Sequence, residues 1–260
     1  MSIADYLING SEIERSEEDE NNMLIIATGT TADEKASGTM EVHNILNGES
    51  CYSRSHGNVP GLTRAAGGLI NKKPVICGGR IQHRGYDTSD ICYMIDTDQD
   101  PLAWEKFATM IAQRDGHAAI SLKNPHRLWV LGGYNYDYDI QHSSTEYVYG
   151  DSSVEEGPRL PYKLMNTCVV QVDDDQTMLI GGYSEDLDAA RKTWVFRHSS
   201  QMWREGPELH HDHGYAGCGK MYSAFHNMDT IVVAGGRITE MIDIQNLDQN
   251  KWHLGNFGIR

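Results

Sequence analysis

The residues best equipped for chemistry are four consecutive side chains, His210, His211, Asp212 and His213, in the segment HHDHGY. Imidazole and carboxylate groups are the ligands that zinc and copper sites use. Adjacent residues of an extended chain point to opposite faces, however, and the segment contains no i, i+4 pair of the kind that a helix would bring together. We therefore expect a solvated turn at this segment and keep a metal-dependent enzyme as an alternative.

Other catalytic motifs do not occur in the sequence. It contains neither G-x-S-x-G nor H-E-x-x-H, and no feature pairs two carboxylates across a cleft. We expect no catalytic residues, no bound metal and no cofactor, and therefore a protein that is not an enzyme.

A second set of chemically capable residues lies in polar loops that follow pairs of glycines. Tyrosine and arginine are enriched at the hot spots of protein interfaces. The loop at 134–142 carries three tyrosines within five residues, and an exposed aromatic cluster of this kind favours binding. The loop residues that we predict to contact a partner are Arg80, His83, Arg84, Tyr86, Tyr134, Tyr136, Tyr138, Tyr183 and Glu185.

The glycine pairs recur, and each follows a short apolar run. The copies are VICGG (75–79), WVLGG (129–133), MLIGG (178–182) and VVAGG (232–236), with a degenerate LIIATG at 24–29. Their final glycines are separated by 50, 54, 49 and 54 residues, which indicates a repeat architecture with one supersecondary unit per repeat. No nucleotide-binding pattern accompanies them, so we expect these glycines where two backbones crowd together.

Strand patterns surround each pair of glycines. An apolar segment precedes the run, as at 117–122 and 167–172, and a polar turn separates the two. Short apolar segments with frequent turns and no helical periodicity predict an all-β fold. We expect Trp104, Trp203 and Trp252, which close three of the repeats, in the core. A further strand is predicted after each polar loop, at 40–45, 90–95, 145–150, 192–197 and 240–245.

These features resemble the kelch repeat over residues 24–254. The resemblance implies a β-propeller, in which each repeat is a four-stranded blade around a central channel. Five blades are visible, either as a five-bladed ring or as part of a six-bladed one. The propeller is expected to cover 23–260, after a flexible acidic arm at 1–22. The resemblance also implies that the loops after the glycine pairs gather on one rim around the mouth of the channel.

The resemblance extends to three arginines. Arg80 matches the family position directly after the glycines, and Arg64 and Arg114 match an arginine that opens the innermost strand. In family members that recruit substrates, such arginines hold acidic peptides through bidentate contacts. We therefore add Arg114 to the predicted partner contacts. The alternative for Arg64 and Arg114 is a structural role, in which they donate hydrogen bonds to neighbouring loop carbonyls.

Composition limits the partners and the compartment. The net charge is −15, from 37 acidic and 22 basic residues, which argues against a nucleic-acid partner. No apolar run approaches 18 residues, so we expect no membrane insertion, and no signal-like start precedes the repeats, so we expect a cytoplasmic protein. The five cysteines show no C-x-x-C spacing and are expected as reduced, buried thiols, with a Cys77–Cys92 bridge as the alternative.

The sequence thus favours a non-enzymatic scaffold that recognises a protein partner through propeller rim loops. A substrate-recognition adaptor is one form that such a scaffold takes. Two alternatives stay open. One is a secreted carbohydrate- or matrix-binding kelch module, and the other is the metal-dependent propeller enzyme.

Overall fold

The structure is a computed structural model, and it describes residues 23–28, 40–44, 50–53, 59–81, 87–96, 103–185, 190–223, 227–235, 238–244, 247 and 251–254. The predicted arm at 1–22 lies outside these residues. All regular structure in the described part of the chain is β-strand, so the all-β prediction is confirmed. This part contains no helix long and apolar enough to cross a membrane.

Five of the seven antiparallel sheets in the described part of the chain follow one another in sequence. The first sheet contains β1 (Met23–Ala27), β2 (Met40–Asn44) and β3 (Ser50–Ser53). The second contains β5 (Ala66–Ile70), β6 (Lys73–Cys77), β9 (Ile91–Ile95) and β10 (Trp104–Thr109). The third contains β11 (Ala118–Lys123), β12 (His126–Leu131), β15 (Thr145–Tyr149) and β16 (Val154–Glu156). The fourth contains β17 (Cys168–Gln171), β18 (Gln176–Ile180), β19 (Thr193–Arg197) and β20 (Met202–Glu205). The fifth contains β21 (Gly217–Ser223), β22 (Met228–Gly235), β23 (Ile238–Asp243) and β24 (His253–Leu254).

Short strands extend the loops that follow the glycine pairs. The loop between the second and third strands of the second sheet contains β7 (Arg80–Ile81) and β8 (Asp87–Thr88), which pair with each other. The strand β7 also pairs with β4 (Leu62–Thr63), which precedes the first strand of that sheet. In the third sheet the corresponding loop forms the hairpin of β13 (Tyr134–Asn135) and β14 (Ile140–Gln141). Every four-stranded sheet is a meander whose strands pair in chain order, as the apolar runs and polar turns predict.

The sheets pack face to face, and the core consists of the layers between them. Successive sheets share buried clusters, such as the one formed by Trp129 and Leu131 of the third sheet with Trp194 and Phe196 of the fourth. Because a sheet packed on both faces buries every residue of a strand, β12 and β18 each end in four consecutive buried residues. Trp104 and Trp252 are buried as predicted, and Trp203 is partly buried against this layer.

The glycine pairs lie where two backbones approach each other. Gly132 has a φ of 65°, and a Cβ atom on it would lie 2.3 Å from the carbonyl oxygen of Leu164. At Gly181 the corresponding distance, to the carbonyl oxygen of His213, is 2.2 Å. The crowding that the sequence predicts is therefore confirmed, and the left-handed backbone is a second reason for glycine.

Four segments that lead into the first strands of successive sheets meet at one end of the fold. Each contains one residue with a left-handed backbone: Arg64, Gly116, Asn166 and Tyr215, with φ between 53° and 59°. The amide of Gly116 donates to the carbonyl of Arg64, and the amide of Asn166 donates to the carbonyl of Gly116. The amide of Tyr215 extends this series of hydrogen bonds by donating to the carbonyl of Asn166. This chain of hydrogen bonds brings side chains from four repeats together.

Two disulfides in the described residues, one within a sheet and one between two sheets, correct the prediction of reduced cysteines. Cys77 of β6 is bonded to Cys92 of β9, which is the alternative that the sequence leaves open. Cys168 of β17 is bonded to Cys218 of β21, so the first strands of the fourth and fifth sheets are covalently joined. The expectation of reduced thiols is therefore wrong for these four cysteines.

Candidate functional site

The side chains that converge at the leading segments form a group that we call the arginine cluster: Arg64, Arg80, Asp115, Tyr136, Asn166 and Tyr215. Arg64 reaches across from its own repeat to the others. Its Nη2 donates a 2.7 Å hydrogen bond to Oδ1 of Asn166, and its Nη1 lies 3.4 Å from the hydroxyl of Tyr136. The guanidinium carbon lies 5.6 Å from the ring centroid of Tyr215. One side chain thus links three repeats besides its own.

Arg80 approaches the same place from the loop after the first intact glycine pair. Its guanidinium stacks on the ring of Tyr136, with 4.1 Å between the guanidinium carbon and the ring centroid. Its Nε lies 2.5 Å from Oδ2 of Asp115, and Nη1 of Arg64 lies 3.8 Å from the same oxygen. A single carboxylate therefore faces two arginines from different segments.

Exposure differs sharply within this ion-pair group. The side chains of Arg64 and Arg80 are 20% and 15% exposed, whereas that of Asp115 is fully buried. Burial raises the pKa of Asp115 to about 6, against the opposing effect of both arginines and with a small further rise from Asp137. Both arginine side chains are therefore partly exposed, whereas the carboxylate is fully buried.

The tyrosine loop at 134–141 is shaped by its own polar groups. Oδ1 of Asn135 accepts hydrogen bonds from the amides of Asp137 and Tyr138, a local turn typical of asparagine. Tyr134 is buried, donates its hydroxyl hydrogen to Asp139, and packs edge to face on Tyr136 at 4.7 Å. Its hydrogen bond to the Asp139 carboxylate raises the pKa of Tyr134 to about 12. The loop therefore buries its first tyrosine and exposes the later ones.

Hydrogen bonds tie this loop to the loops on either side. Towards the second sheet, the amide of Tyr136 donates to Oγ1 of Thr88, and the amide of Thr88 donates to Oδ2 of Asp137. Towards the fourth sheet, Nε2 of Gln141 donates to the carbonyl of Tyr183, and the amide of Glu185 donates to Oε1 of Gln141. Loops from three repeats thus form one connected surface, which we call the rim.

The predicted contact residues are distributed unevenly over this surface. Arg80 and Tyr136 belong to the arginine cluster, and Tyr134 packs beneath Tyr136. Tyr138 and Tyr183 are 70% and 49% exposed on the rim. Glu185 is exposed beside them, and the predicted residues His83, Arg84 and Tyr86 lie outside the described residues.

Arg114 has the structural role that the sequence offers as its alternative. Its guanidinium is fully buried and donates to the carbonyls of Gly132 and Ser144, at 2.6 and 3.0 Å. It also forms a buried ion pair with Glu146. The expectation that Arg114 contacts a partner is therefore corrected, because no part of this side chain reaches the surface.

The backbone explains why Arg64 and Arg114 differ. The second glycine of three pairs, Gly79, Gly133 and Gly182, donates its amide hydrogen to a leading segment, at the carbonyls of Arg114, Leu164 and His213 in turn. The three acceptor residues are equivalent, whereas Arg64 is equivalent to Gly116, two residues further along its repeat. The predicted match of Arg64 to Arg114 is therefore wrong by two residues.

Four cluster members are not among the predicted contacts: Arg64, Asp115, Asn166 and Tyr215. Each lies at or beside the left-handed position of its leading segment. Residue types at that position differ from repeat to repeat, so no pattern in the sequence marks it. The sequence contains only a weaker signal, since 35, 31 and 31 residues separate the second glycines of three pairs from the leading segment of the next repeat.

The histidine group at 210–213 anchors the fifth sheet. His213 is buried, with Nε2 3.2 Å from Oε1 of Glu240, and Nε2 of His210 lies 2.6 Å from the carbonyl oxygen of Trp252. The amides of His210 and His211 both donate to the carboxylate of Glu240. Within the described ranges, no three His, Cys, Asp or Glu side chains are grouped so that they could hold a metal ion.

Comparison with known proteins adds no assignment. No protein-family model matches the chain, and a search of curated proteins found no match.

Proposed function

We propose that the protein is a non-enzymatic scaffold that binds a protein partner through the rim, and that its sheets are blades of a kelch-type propeller. The propeller is supported by the recurring glycine pairs, by the four meander sheets packed in chain order, and by the meeting of four leading segments at one end. Variable loops on such a rigid scaffold are typical positions for binding residues.

The observation that carries the binding function is the pair of partly exposed guanidinium groups around Tyr136. Arginine and tyrosine are the residue types that dominate interface hot spots, and a guanidinium group binds a carboxylate with two parallel hydrogen bonds. Tyr138, Tyr183 and Tyr215 are exposed, and the ring centroid of Tyr215 lies 5.6 Å from the guanidinium carbon of Arg64. The partner that fits best presents a carboxylate next to an apolar or aromatic side chain.

The rim is also ordered before any partner arrives. The links between the loops through Thr88, Asp137 and Gln141 fix the backbone of the tyrosine loop on both sides. Stacking on Tyr136 and the ion pair with Asp115 hold the guanidinium of Arg80. Because these groups lose little conformational freedom on binding, more of the contact energy remains as affinity.

A secreted carbohydrate- or matrix-binding module is the second candidate, and the disulfides favour it. Disulfides persist in oxidising compartments and are rare in cytoplasmic proteins, so the two bridges argue against the expected cytoplasmic location. The same exposed tyrosines, with Asn166 and the two arginines, are suited to an acidic sugar. A glycan array and a partner capture therefore distinguish the two candidates at one site.

The experiment that tests the proposal is affinity capture from the native tissue, followed by mass spectrometry. The test variant is Arg80→Ala/Tyr136→Ala. The matched control is Arg197→Ala/Tyr222→Ala, which removes an exposed arginine and an exposed tyrosine near the opposite ends of their sheets. We expect a partner that the wild type and the control retain and the folded test variant loses. A capture that is identical for all three proteins contradicts rim binding.

A further inference from the structure

We propose that Asp115 is an internal counter-ion of Arg64 and Arg80. Ionised Asp115 lowers the affinity of the two arginines for an external anion, and protonation of Asp115 raises that affinity. This role rests on the proposed binding function of the rim and specifies how that binding is regulated. Asp115 is fully buried, so it touches no ligand and acts only through the two arginines.

The geometry places the internal and the external anion on the same cations. Oδ2 of Asp115 lies 2.5 Å from Nε of Arg80 and 3.8 Å from Nη1 of Arg64. Both arginine side chains are partly exposed, 20% for Arg64 and 15% for Arg80. An external carboxylate or sulfate bound there competes with the charge of Asp115, because like charges so close to one another repel.

Three charged groups from other segments act on the Asp115 carboxylate. Arg80 follows the glycine pair, Arg64 precedes β5, and Asp137 lies in the tyrosine loop. His117, two residues along the chain, is buried and remains neutral, since burial lowers its pKa to about 3. With Asp115 ionised, the two arginines and the two aspartates have no net charge. With Asp115 protonated, the group has a net charge of +1.

The Asp115 carboxylate changes its protonation within the pH range that a change of compartment would span. The pKa of Asp115 is raised to about 6, so its ionised fraction falls steeply between pH 7 and pH 5. Binding an anion at the arginines must in turn favour protonated Asp115, because the coupling between two sites is reciprocal. Anion affinity therefore increases as the pH falls through this range.

Sulfate is a suitable probe because its charge is constant between pH 5 and pH 7.5. Binding is followed by the ¹⁵N shifts of the arginine Nε–H groups in the full chain. If sulfate raises the pKa of Asp115 by about one unit, its association constant is about sevenfold higher at pH 5 than at pH 7.5. Asp115→Asn is expected to bind sulfate with the higher affinity at both pH values.

Two results would overturn the counter-ion role. One is a wild-type sulfate affinity that does not change with pH, and the other is an Asp115→Asn variant that keeps the wild-type pH dependence. If Asp115→Asn does not fold, the carboxyl ¹³C titration of Asp115 in the wild type replaces it. We expect saturating sulfate to raise that midpoint, and an unchanged midpoint contradicts the proposal. A partner capture that is identical for wild type, test variant and control, together with the expected sulfate behaviour, contradicts the proposed function alone.

Discussion

Nε2 of His213 lies 3.2 Å from Oε1 of Glu240, and this buried pair occupies in the fifth sheet the place that Arg114 and Glu146 occupy in the third. Both carboxylates also accept two backbone amides from the leading segment, those of Ile111 and Ala112 for Glu146 and of His210 and His211 for Glu240. The equivalent pair in the fourth sheet is apolar, Leu164 and Trp194. Buried ionic and apolar pairs thus fill one structural position in different repeats.

Replacing Glu240 with glutamine is expected to weaken the protein most at neutral pH. Burial acts to raise the pKa of Glu240, but the amides of His210 and His211 and the side chain of His213 lower it overall. A lowered native pKa contributes stability that is present above the usual 4.5 and is lost as the pH falls through the native value.

The loss at pH 7 is expected to be about 2 kcal/mol, since hydrogen bonds to a charged group are replaced by weaker ones. Thermal unfolding of wild type and Glu240→Gln between pH 3 and pH 7 measures it. The difference in Tm should shrink below pH 4.5. A difference that stays constant over the whole range contradicts this account.

Replacing Arg114 with leucine is expected to be severely destabilising. The substitution leaves the carboxylate of Glu146 buried without its counter-ion, which costs about 3–5 kcal/mol. Arg114→Leu/Glu146→Tyr recreates the Leu62 and Tyr93 pair of the second sheet and should be less destabilising than the single change. Urea unfolding compares the two variants, and a double variant that is less stable than Arg114→Leu would show that the apolar pair is no substitute.

Removing the bridge between the fourth and fifth sheets is expected to cost more stability than removing the bridge inside the second. The sequence separations are 50 residues for Cys168–Cys218 and 15 for Cys77–Cys92. The entropy of loop closure gives about 4 and about 3 kcal/mol for loops of these lengths. The variants are Cys168→Ala/Cys218→Ala and Cys77→Ala/Cys92→Ala, compared by denaturant unfolding.

Thiol counting under denaturing, non-reducing conditions provides the control. Four of the five cysteines are in disulfides, so one thiol per chain, that of Cys51, should react. Five reactive thiols would show that the bridges are not formed, and the stability difference between the two variants would then have no basis.

The sequence predicts the strands well because each strand depends on a local pattern. The apolar run at 129–131 and the glycines after it define β12 and its end without reference to any other repeat. The predicted strands at 145–150 and 192–197 likewise match Thr145–Tyr149 and Thr193–Arg197. Periodicity and turn chemistry are properties of neighbouring residues, so one sequence suffices to read them.

The arginine cluster could not be predicted in the same way, because it depends on contacts between repeats. Asp115 is one acidic residue in a polar segment, and only the arrival of Arg64 and Arg80 from the preceding repeat explains its burial. The Cys168–Cys218 bridge does have a signal, since its spacing of 50 residues is close to the repeat period. Local patterns in one sequence do not show which residues of neighbouring repeats come into contact.

Replacing Gly132 with alanine is expected to destabilise the protein by about 1–3 kcal/mol or more, since two unfavourable effects combine. The new Cβ would lie 2.3 Å from the carbonyl oxygen of Leu164, which itself accepts the amide of Gly133. The φ of 65° is also unfavourable for alanine. Gly214→Ala is the matched control, because nothing lies within 4 Å of a Cβ there. Equal Tm values for the two variants would contradict the close approach that joins each glycine pair to the next repeat.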